Sequence, residues 1–419
     1  MREPAGDPRE LVGGSASGLR RPAGDPRRPV TDGPLRLAVL GSTGSIGRQA
    51  LDVARVYPEY IEVVALAAGS NAELLLQQAA EFGVRHLALA KKPEQLPAII
   101  RSAGLSEAAA IAYGPEAVVA LTELNEVDCV LNAMVGSAGL LSSYHALRAG
   151  KRLALANKES LVVGGELLMP LAAAGQLVPV DSEHSAIYQC LTGEPAESVA
   201  TLILTASGGP FRNFTRQQLA NVQVSEALAH PNWSMGAKIS IDSATMMNKG
   251  LEVIEAMHLF NMPLQCIEIV VHPQSVVHSM VCFSDGSIKA QLGPADMRIP
   301  IQYALSCPSR WSAVAEPLSV AKLSELTFAE VDTEVFGCLG LALQAAGVGG
   351  TAPAILNAAN EEAVAAFLAG QIGFLDIERC VLATLESLSA EAVVSLEQLL
   401  DIDLAARRVA LQAINSLAC

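Results

Sequence analysis

The chain has 419 residues, more than one hydrophobic core usually holds, so two or three packed domains are expected. Apolar residues make up 51% and charged ones 17%, which excludes a disordered chain, and the formal net charge of -15 excludes a nucleic-acid surface, since phosphate-backbone binding needs clustered Lys and Arg. No apolar run reaches the roughly 20 residues of a membrane-spanning helix, and the scattered cysteines, with no C-x-x-C pair, suit a reducing cytoplasm better than a disulfide framework or a cysteine metal site.

Residues 1–34 are rich in Pro, Gly and Arg, lack an apolar segment and carry Pro-Ala-Gly-Asp-Pro-Arg twice, from Pro4 and from Pro22. They read as a disordered extension, and their acidic residues argue against a transit peptide while leaving a plastid-type presequence open. Leu35 to Leu40 reads as a strand, Gly41-Ser-Thr-Gly44-Ser-Ile-Gly47 as a turn, and Arg48 to Val56 as a helix stopped at Pro58. Further strands at Ile61 to Ala67, His86 to Leu89, Cys129 to Asn132 and Arg152 to Ala156 predict a doubly wound parallel sheet over 35–171. A second α/β domain is expected over 172–307, with strands at Leu177 to Val180, Ser198 to Ala206, Ile267 to Val271, Ser275 to Phe283 and Ser287 to Leu292, the last three suggesting an antiparallel or mixed sheet face that could pair with another subunit. A linker over 308–334 then leads to a small all-helical domain, 335–419, rich in Ala, Leu and Glu.

Several motifs stand at strand ends. Gly41, Gly44 and Gly47 permit a tight turn whose following helix faces its N–H groups toward an anion, although a plain packing turn reads the same way. Gly69-Ser70-Asn71 follows the second strand without the acidic residue that grips an NAD ribose, which favours NADP. Asp181-Ser182-Glu183 places two carboxylates after a strand, where mutual repulsion invites a hard divalent cation, while a capped helix start explains the same residues. Glu252 follows Lys249 by three residues, so the two share a helix face either as an intrahelical pair or as part of that site. Lys158 in Asn157-Lys-Glu159 could stabilise charge developing on a substrate oxygen. Ser207 and the stretch from Ser243 to Asn248 and Lys249 offer hydroxyl, amide and ammonium donors suited to phosphate. His230-Pro-Asn-Trp233-Ser-Met235-Gly236 reads as an active-site lid or as a loop anchored by its indole, and His184 as a structural neighbour of the site.

Taken together, Gly-Ser-Thr-Gly-Ser-Ile-Gly from Gly41, Asn-Lys-Glu from Asn157, Asp-Ser-Glu-His-Ser from Asp181, His-Pro-Asn-Trp from His230 and the stretch Asp242 to Glu252 resemble the 1-deoxy-D-xylulose 5-phosphate reductoisomerase family over roughly Leu35 to Cys419. The resemblance implies a Rossmann-like first domain and a homodimer. It also implies conversion of 1-deoxy-D-xylulose 5-phosphate to 2-C-methyl-D-erythritol 4-phosphate in the non-mevalonate isoprenoid pathway, with NADPH and Mg²⁺, Mn²⁺ or Co²⁺. It assigns the metal to Asp181, Glu183 and Glu252, and the substrate oxygens to Lys158 and Ser182. Phosphate falls to Ser207, Ser243, Asn248 and Lys249, a further substrate contact to His230, and the lid to Trp233 and Met235. The implied NADPH positions are Thr43, Gly44, Ser45, Ile46, Gly69, Ser70, Asn71, Asn157, Glu159 and Gly236. Ser70 departs from the basic residue that many members place against the 2′-phosphate. The implied chemistry cleaves C3–C4, rejoins the fragments through C2 and reduces the resulting aldehyde. A simple NADP-dependent sugar-phosphate or semialdehyde dehydrogenase would need no carboxylate trio, and a nucleotide-sensing regulator would need neither the trio nor Lys158.

Overall fold

The computed structural model describes residues 33–92, 111–233 and 235–417, so the expected N-terminal extension lies, but for its last two residues, outside the described residues, as does Ser234 of the lid segment. The first layer alternates strands and helices: β1 (Leu35–Leu40), α1 (Ser45–Val56), β2 (Ile61–Ala68), α2 (Ala72–Phe82), β3 (His86–Leu89), β4 (Ile111–Tyr113), α3 (Pro115–Thr122), β5 (Cys129–Asn132), α4 (Gly139–Arg148), β6 (Arg152–Leu155), α5 (Glu159–Leu168) and β7 (Leu177–Pro179). Its seven strands are parallel in the order β4-β3-β2-β1-β5-β6-β7; the strand at Leu177, expected to open the second domain, instead pairs with β6 and completes this sheet, because Leu177, Val178 and Pro179 register against Leu153, Ala154 and Leu155. Leu37 to Leu40 and Cys129 to Leu131 are fully buried, as expected of central strands covered on both faces. Amphipathic α1 turns Ala50, Leu51, Val53 and Ala54 inward.

The order reverses between β1 and β5, and this Rossmann-like topology opens a crevice at their carboxyl ends. The glycines make that crevice tight. Gly41 has φ 81° and a Cβ there would strike the Ala133 carbonyl after β5, while one at Gly47 would overlap the turn itself. The helix expected from Arg48 begins at Ser45, because Gly44 already stands extended as its N-cap. Strand β4, three residues long, went unread because so short a run carries no period.

The second region comprises α6 (Ser182–Leu191), β8 (Val199–Ala206), α7 (Arg216–Leu219), α8 (Val224–Ala227), α9 (Ala237–Ala244), α10 (Met247–Phe260), β9 (Ile267–Val271), β10 (Val277–Phe283), β11 (Ile288–Leu292) and α11 (Arg298–Ser306). Its sheet, β11-β10-β8-β9, is mixed: β8 and β9 run parallel, the other pairs antiparallel. Strand β11 leaves an open edge with Ile288 and Leu292 exposed. A segment of little regular structure then crosses back to the first layer, where Trp311 stacks on Tyr60 and Tyr57 donates its hydroxyl hydrogen to the Ser312 carbonyl. The helices α12 (Gly337–Val348), α13 (Ala352–Leu368), α14 (Phe374–Ser387) and α15 (Leu396–Leu417) follow and share a core with α10, through Leu251, Ile254, Leu339 and Leu356.

Candidate active site

A cavity of about 740 Å³ lies at the reversal point of the parallel sheet, bounded by the start of α1, the loop after β5, the ends of β6, β7 and β8, and the segment His230 to Gly236. Asp181 occupies the N-cap position of α6, yet its side chain makes no capping hydrogen bond. It turns instead to the cavity, where Asp181, Glu183 and Glu252 bring carboxylate oxygens within 4.8 Å of one another. Asp181 thus holds the cap position of α6 by its backbone while its side chain faces the other two carboxylates. Likewise Glu252 forms the intrahelical pair of α10 with Lys249 and belongs to the trio at once.

Two ammonium groups stand among these carboxylates. Lys158, at the end of β6, lies 2.8 Å from Asp181 and 3.1 Å from Glu252 and donates to Asn248 at 2.7 Å. Lys249 lies 2.9 Å from Glu183 and pairs with Glu252. Burial works against the charge of Asp181, but Lys158 and then His184 hold it well below the usual carboxylate range. Burial and the facing Glu183 carboxylate raise Glu252 despite both lysines. Buried Asp181 Oδ2, although beside Lys158, has no well-directed donor. An all-oxygen donor set with an orphaned carboxylate oxygen suits a hard divalent cation, so these residues fit one. Beneath the trio, His184 is fully buried, with Nε2 at 2.9 Å from the Glu252 carbonyl and Nδ1 at 3.3 Å from Glu255.

The opposite wall carries the donors expected for phosphate. Gly208 and Gly209 are left-handed after β8, and a Cβ at Gly209 would crowd the Ser243 carbonyl, so the absence of side chains lets the Ser207 turn approach Ser243. His230 Nδ1 accepts from the backbone N–H groups of Asn232 (3.2 Å) and Trp233 (3.0 Å). That assigns the ring proton to Nε2, which donates to Ser207 Oγ at 3.0 Å. Burial keeps this imidazole below its ordinary pKa and therefore neutral. Ser207 Oγ also accepts from the Gly209 N–H at 3.1 Å, so its own hydrogen is free for an anion in the cavity. Lys249 and Asn248 line the same wall but are turned to the carboxylates.

Trp233 and Met235 line the cavity, and the segment is fastened by Asn232, which donates to the Pro273 carbonyl (2.6 Å) and Ser275 Oγ (2.9 Å). Of the positions expected at a cofactor, Gly44, Ser45, Ile46, Glu159 and Gly236 line the cavity. Thr43, Gly69, Ser70 and Asn71 do not line it; the last three follow β2 beside the glycine turn, and Asn71 caps α2 through Leu74 N–H. Asn157 is buried behind the wall, donating to the carbonyls of Met134 (3.0 Å) and Gly136 (2.9 Å), so it shapes the loop after β5 rather than facing the cavity. Ser182 is buried and donates to Glu183 at 2.6 Å.

Sequence reasoning missed Lys238, Asp242 and the loop Ala133 to Val135, all on the cavity wall. A Lys and an Asp four residues apart on a helix look like a solvated pair, and the loop has no polar side chain, so only the sheet order could have pointed to it.

Family models described as 1-deoxy-D-xylulose 5-phosphate reductoisomerase match residues 37–165, those of its C-terminal domain residues 177–260, and those of the DXP reductoisomerase C-terminal domain residues 292–409. The 1-deoxy-D-xylulose 5-phosphate reductoisomerase of Chloroherpeton thalassium is 49% identical over 375 residues, 89% of this chain and 96% of that relative. The solved structure of that enzyme from Zymomonas mobilis in complex with NADPH is 44% identical, with TM-score 0.82 over 92% of this chain and 100% of that one. A crystal structure of DOX-P reductoisomerase with NADPH, fosmidomycin and magnesium is 42% identical, with TM-score 0.85 over 91% of this chain and 98% of that one.

Proposed function

The chain belongs to the 1-deoxy-D-xylulose 5-phosphate reductoisomerase family, and from that premise we propose that its cavity converts 1-deoxy-D-xylulose 5-phosphate to 2-C-methyl-D-erythritol 4-phosphate, with NADPH and a divalent metal, for isoprenoid precursor synthesis. The observation that carries this reading is the carboxylate trio Asp181, Glu183 and Glu252 sharing one cavity with the N-terminus of α1, since a plain dehydrogenase needs no such trio.

Asp181, Glu183 and Glu252 would hold the metal, which supplies Lewis acidity to the substrate's carbonyl and neighbouring hydroxyl oxygens. Lys158 fixes Asp181 and Glu252 and offers its ammonium to charge developing on a substrate oxygen. Ser207 and Ser243 bind the phosphate, and with the carboxylates committed to a cation, Asn248 and Lys249 are free to join them. Neutral His230 keeps Ser207 oriented as a donor. Trp233 and Met235 exclude water while the C3–C4 bond is open and the fragments rejoin through C2. Gly44 to Ile46 would hold the pyrophosphate of NADPH and Gly69 to Asn71 its adenosine side, and the bound cofactor would supply hydride for reduction of the aldehyde.

We assign nucleotide binding to 35–171, catalysis to 172–307 and the helical cap to 335–419. The open edge at β11, with Ile288 and Leu292 exposed, is offered as the seam of a homodimer. No described helix is long and apolar enough to cross a membrane, and a cytoplasmic location is proposed. Carbon NMR of the product tests the reaction: a branched methyl tetritol phosphate supports it, and a straight-chain reduced sugar phosphate would establish the dehydrogenase alternative.

A further inference from the structure

The helix that leaves the lid is tied to the cofactor side of the cavity by a closed circuit of buried and half-buried polar groups. Lys238 stands two residues after Gly236, on the first turn of α9. Its ammonium lies 2.8 Å from Glu159, at the start of α5, and 2.9 Å from Asp242, one turn further along α9. Asn360 of α13 donates to the other oxygen of Asp242 at 2.8 Å. The next residue, Glu361, accepts from the Ser137 N–H at 2.9 Å and pairs with Arg407 of α15 at 2.7 Å, while Arg407 also donates to Ser137 Oγ at 3.0 Å. From Ser137 the circuit returns through the Gly136 carbonyl to Asn157, whose amide donates to Glu159 at 2.9 Å.

Nothing in this circuit is loose. Glu159, Asp242 and Asn360 are buried, and a Cβ at Gly136, which has φ 76°, would come within 2.7 Å of the Glu361 carboxylate. Burial penalises the Lys238 charge, yet the carboxylates of Asp242, Glu159 and Glu361 raise its pKa above that of an ordinary lysine, so it stays a cation. The chemistry proposed above uses none of Lys238, Asn360, Glu361 or Arg407. Glu159 and the loop just before Gly136 nevertheless form the wall against which the cofactor is placed, and Lys238 is continuous in chain with the lid that covers the substrate.

We propose that Lys238 is a positioning residue, tying the lid helix to Glu159, and that Asn360 and Glu361 of α13 complete the tie, so that the C-terminal helices set the affinity for the nicotinamide cofactor. This rests on the reading that Glu159 and the loop after β5 face NADPH. Displacing Glu159 weakens cofactor binding while leaving the carboxylate trio and the phosphate wall in place. Hydrogen bonds to charged partners are each worth about 1.5–3 kcal/mol, which corresponds to a loss of roughly ten- to a hundredfold in affinity.

The test is NADPH binding by cofactor fluorescence, with Mn²⁺ binding and steady-state kinetics alongside, on the full chain and on K238M, K238R and E361Q. Folding of each variant is checked by circular dichroism. The unaltered chain comes first: if it binds no NADPH, the functional reading itself fails. If it does bind, K238M is expected to raise the NADPH Kd and KM about tenfold, with kcat at saturating cofactor and the Mn²⁺ Kd within about twofold of the parent. K238R should recover most of that affinity, and E361Q should raise the Kd about threefold by loosening Ser137. Should K238M not fold, with Glu159 and Asp242 left facing each other, E361Q decides: a raised NADPH Kd supports the tie and a parental one overturns it. An unchanged NADPH Kd in folded K238M and E361Q overturns the proposal, as does loss of folding in all three, which would make the circuit a structural one.

Discussion

Asp181, Glu183 and Glu252 illustrate how far single residues could be read. The strand-end placement of Asp181 and Glu183 and the helical one of Glu252 were legible, but whether Asp181 caps a helix or faces a ligand depends on its side-chain torsion, which no local sequence encodes. The trio is expected to act as a unit, so D181N should weaken Mn²⁺ binding and lower turnover by roughly a hundredfold or more, given that even outer partners of metal ligands cost ten- to a hundredfold. Titration of Mn²⁺ by electron spin resonance checks this, and parental affinity in D181N would remove Asp181 from the site. Asn157 teaches the opposite lesson: it sits within a recognised motif, yet its amide faces backbone carbonyls, and only the folded loop reveals that. At Ser70, the lack of an acidic residue predicts that NADPH keeps the higher kcat/KM over NADH, which parallel assays measure directly.

At the scale of elements, the site is held by two helices that approach closely. Helix α5 follows Lys158, and α10 carries Lys249 and Glu252. They meet at Gly165, where a Cβ would overlap the His258 ring. G165A should therefore destabilise the fold by about 1–3 kcal/mol and weaken Mn²⁺ binding, as the helices part. Denaturant titration and metal titration together test the link between packing and site. His258 adds a pH dependence: burial holds its pKa below that of a free imidazole. The unfolded chain then binds the proton that the folded chain refuses, so stability falls as pH drops through about 6.5 toward the lower folded value. Relative to H258Q, the parent should lose stability between pH 7.5 and 5.5, and a gain there would contradict the assignment. The strands and glycine turns that build this region were readable from period and punctuation. The helix contact was not, since Gly165 inside a helical pattern looks merely permissive.

Across the whole molecule, the alternation of strands and helices made the parallel sheet legible, and the Ala- and Leu-rich tail made the helical end legible. What stayed hidden was reach: Arg407 donates to Ser137, 270 residues away, and Asn360 to Asp242, 118 residues away. Such pairings follow from how the layers stack, and no window along the chain contains them. The exposed edge at β11 predicts a dimer by light scattering that I288E with L292E would dissociate; a monomeric parent would dismiss that seam. The central claim is that one cavity joins a carboxylate-held metal to a nicotinamide-dependent reduction. It is tested most directly by following NADPH oxidation by the purified chain with 1-deoxy-D-xylulose 5-phosphate and Mn²⁺, before and after a chelator. Oxidation that stops with chelator and returns with added Mn²⁺ is the predicted result; oxidation indifferent to the chelator, or none with metal present, would contradict it.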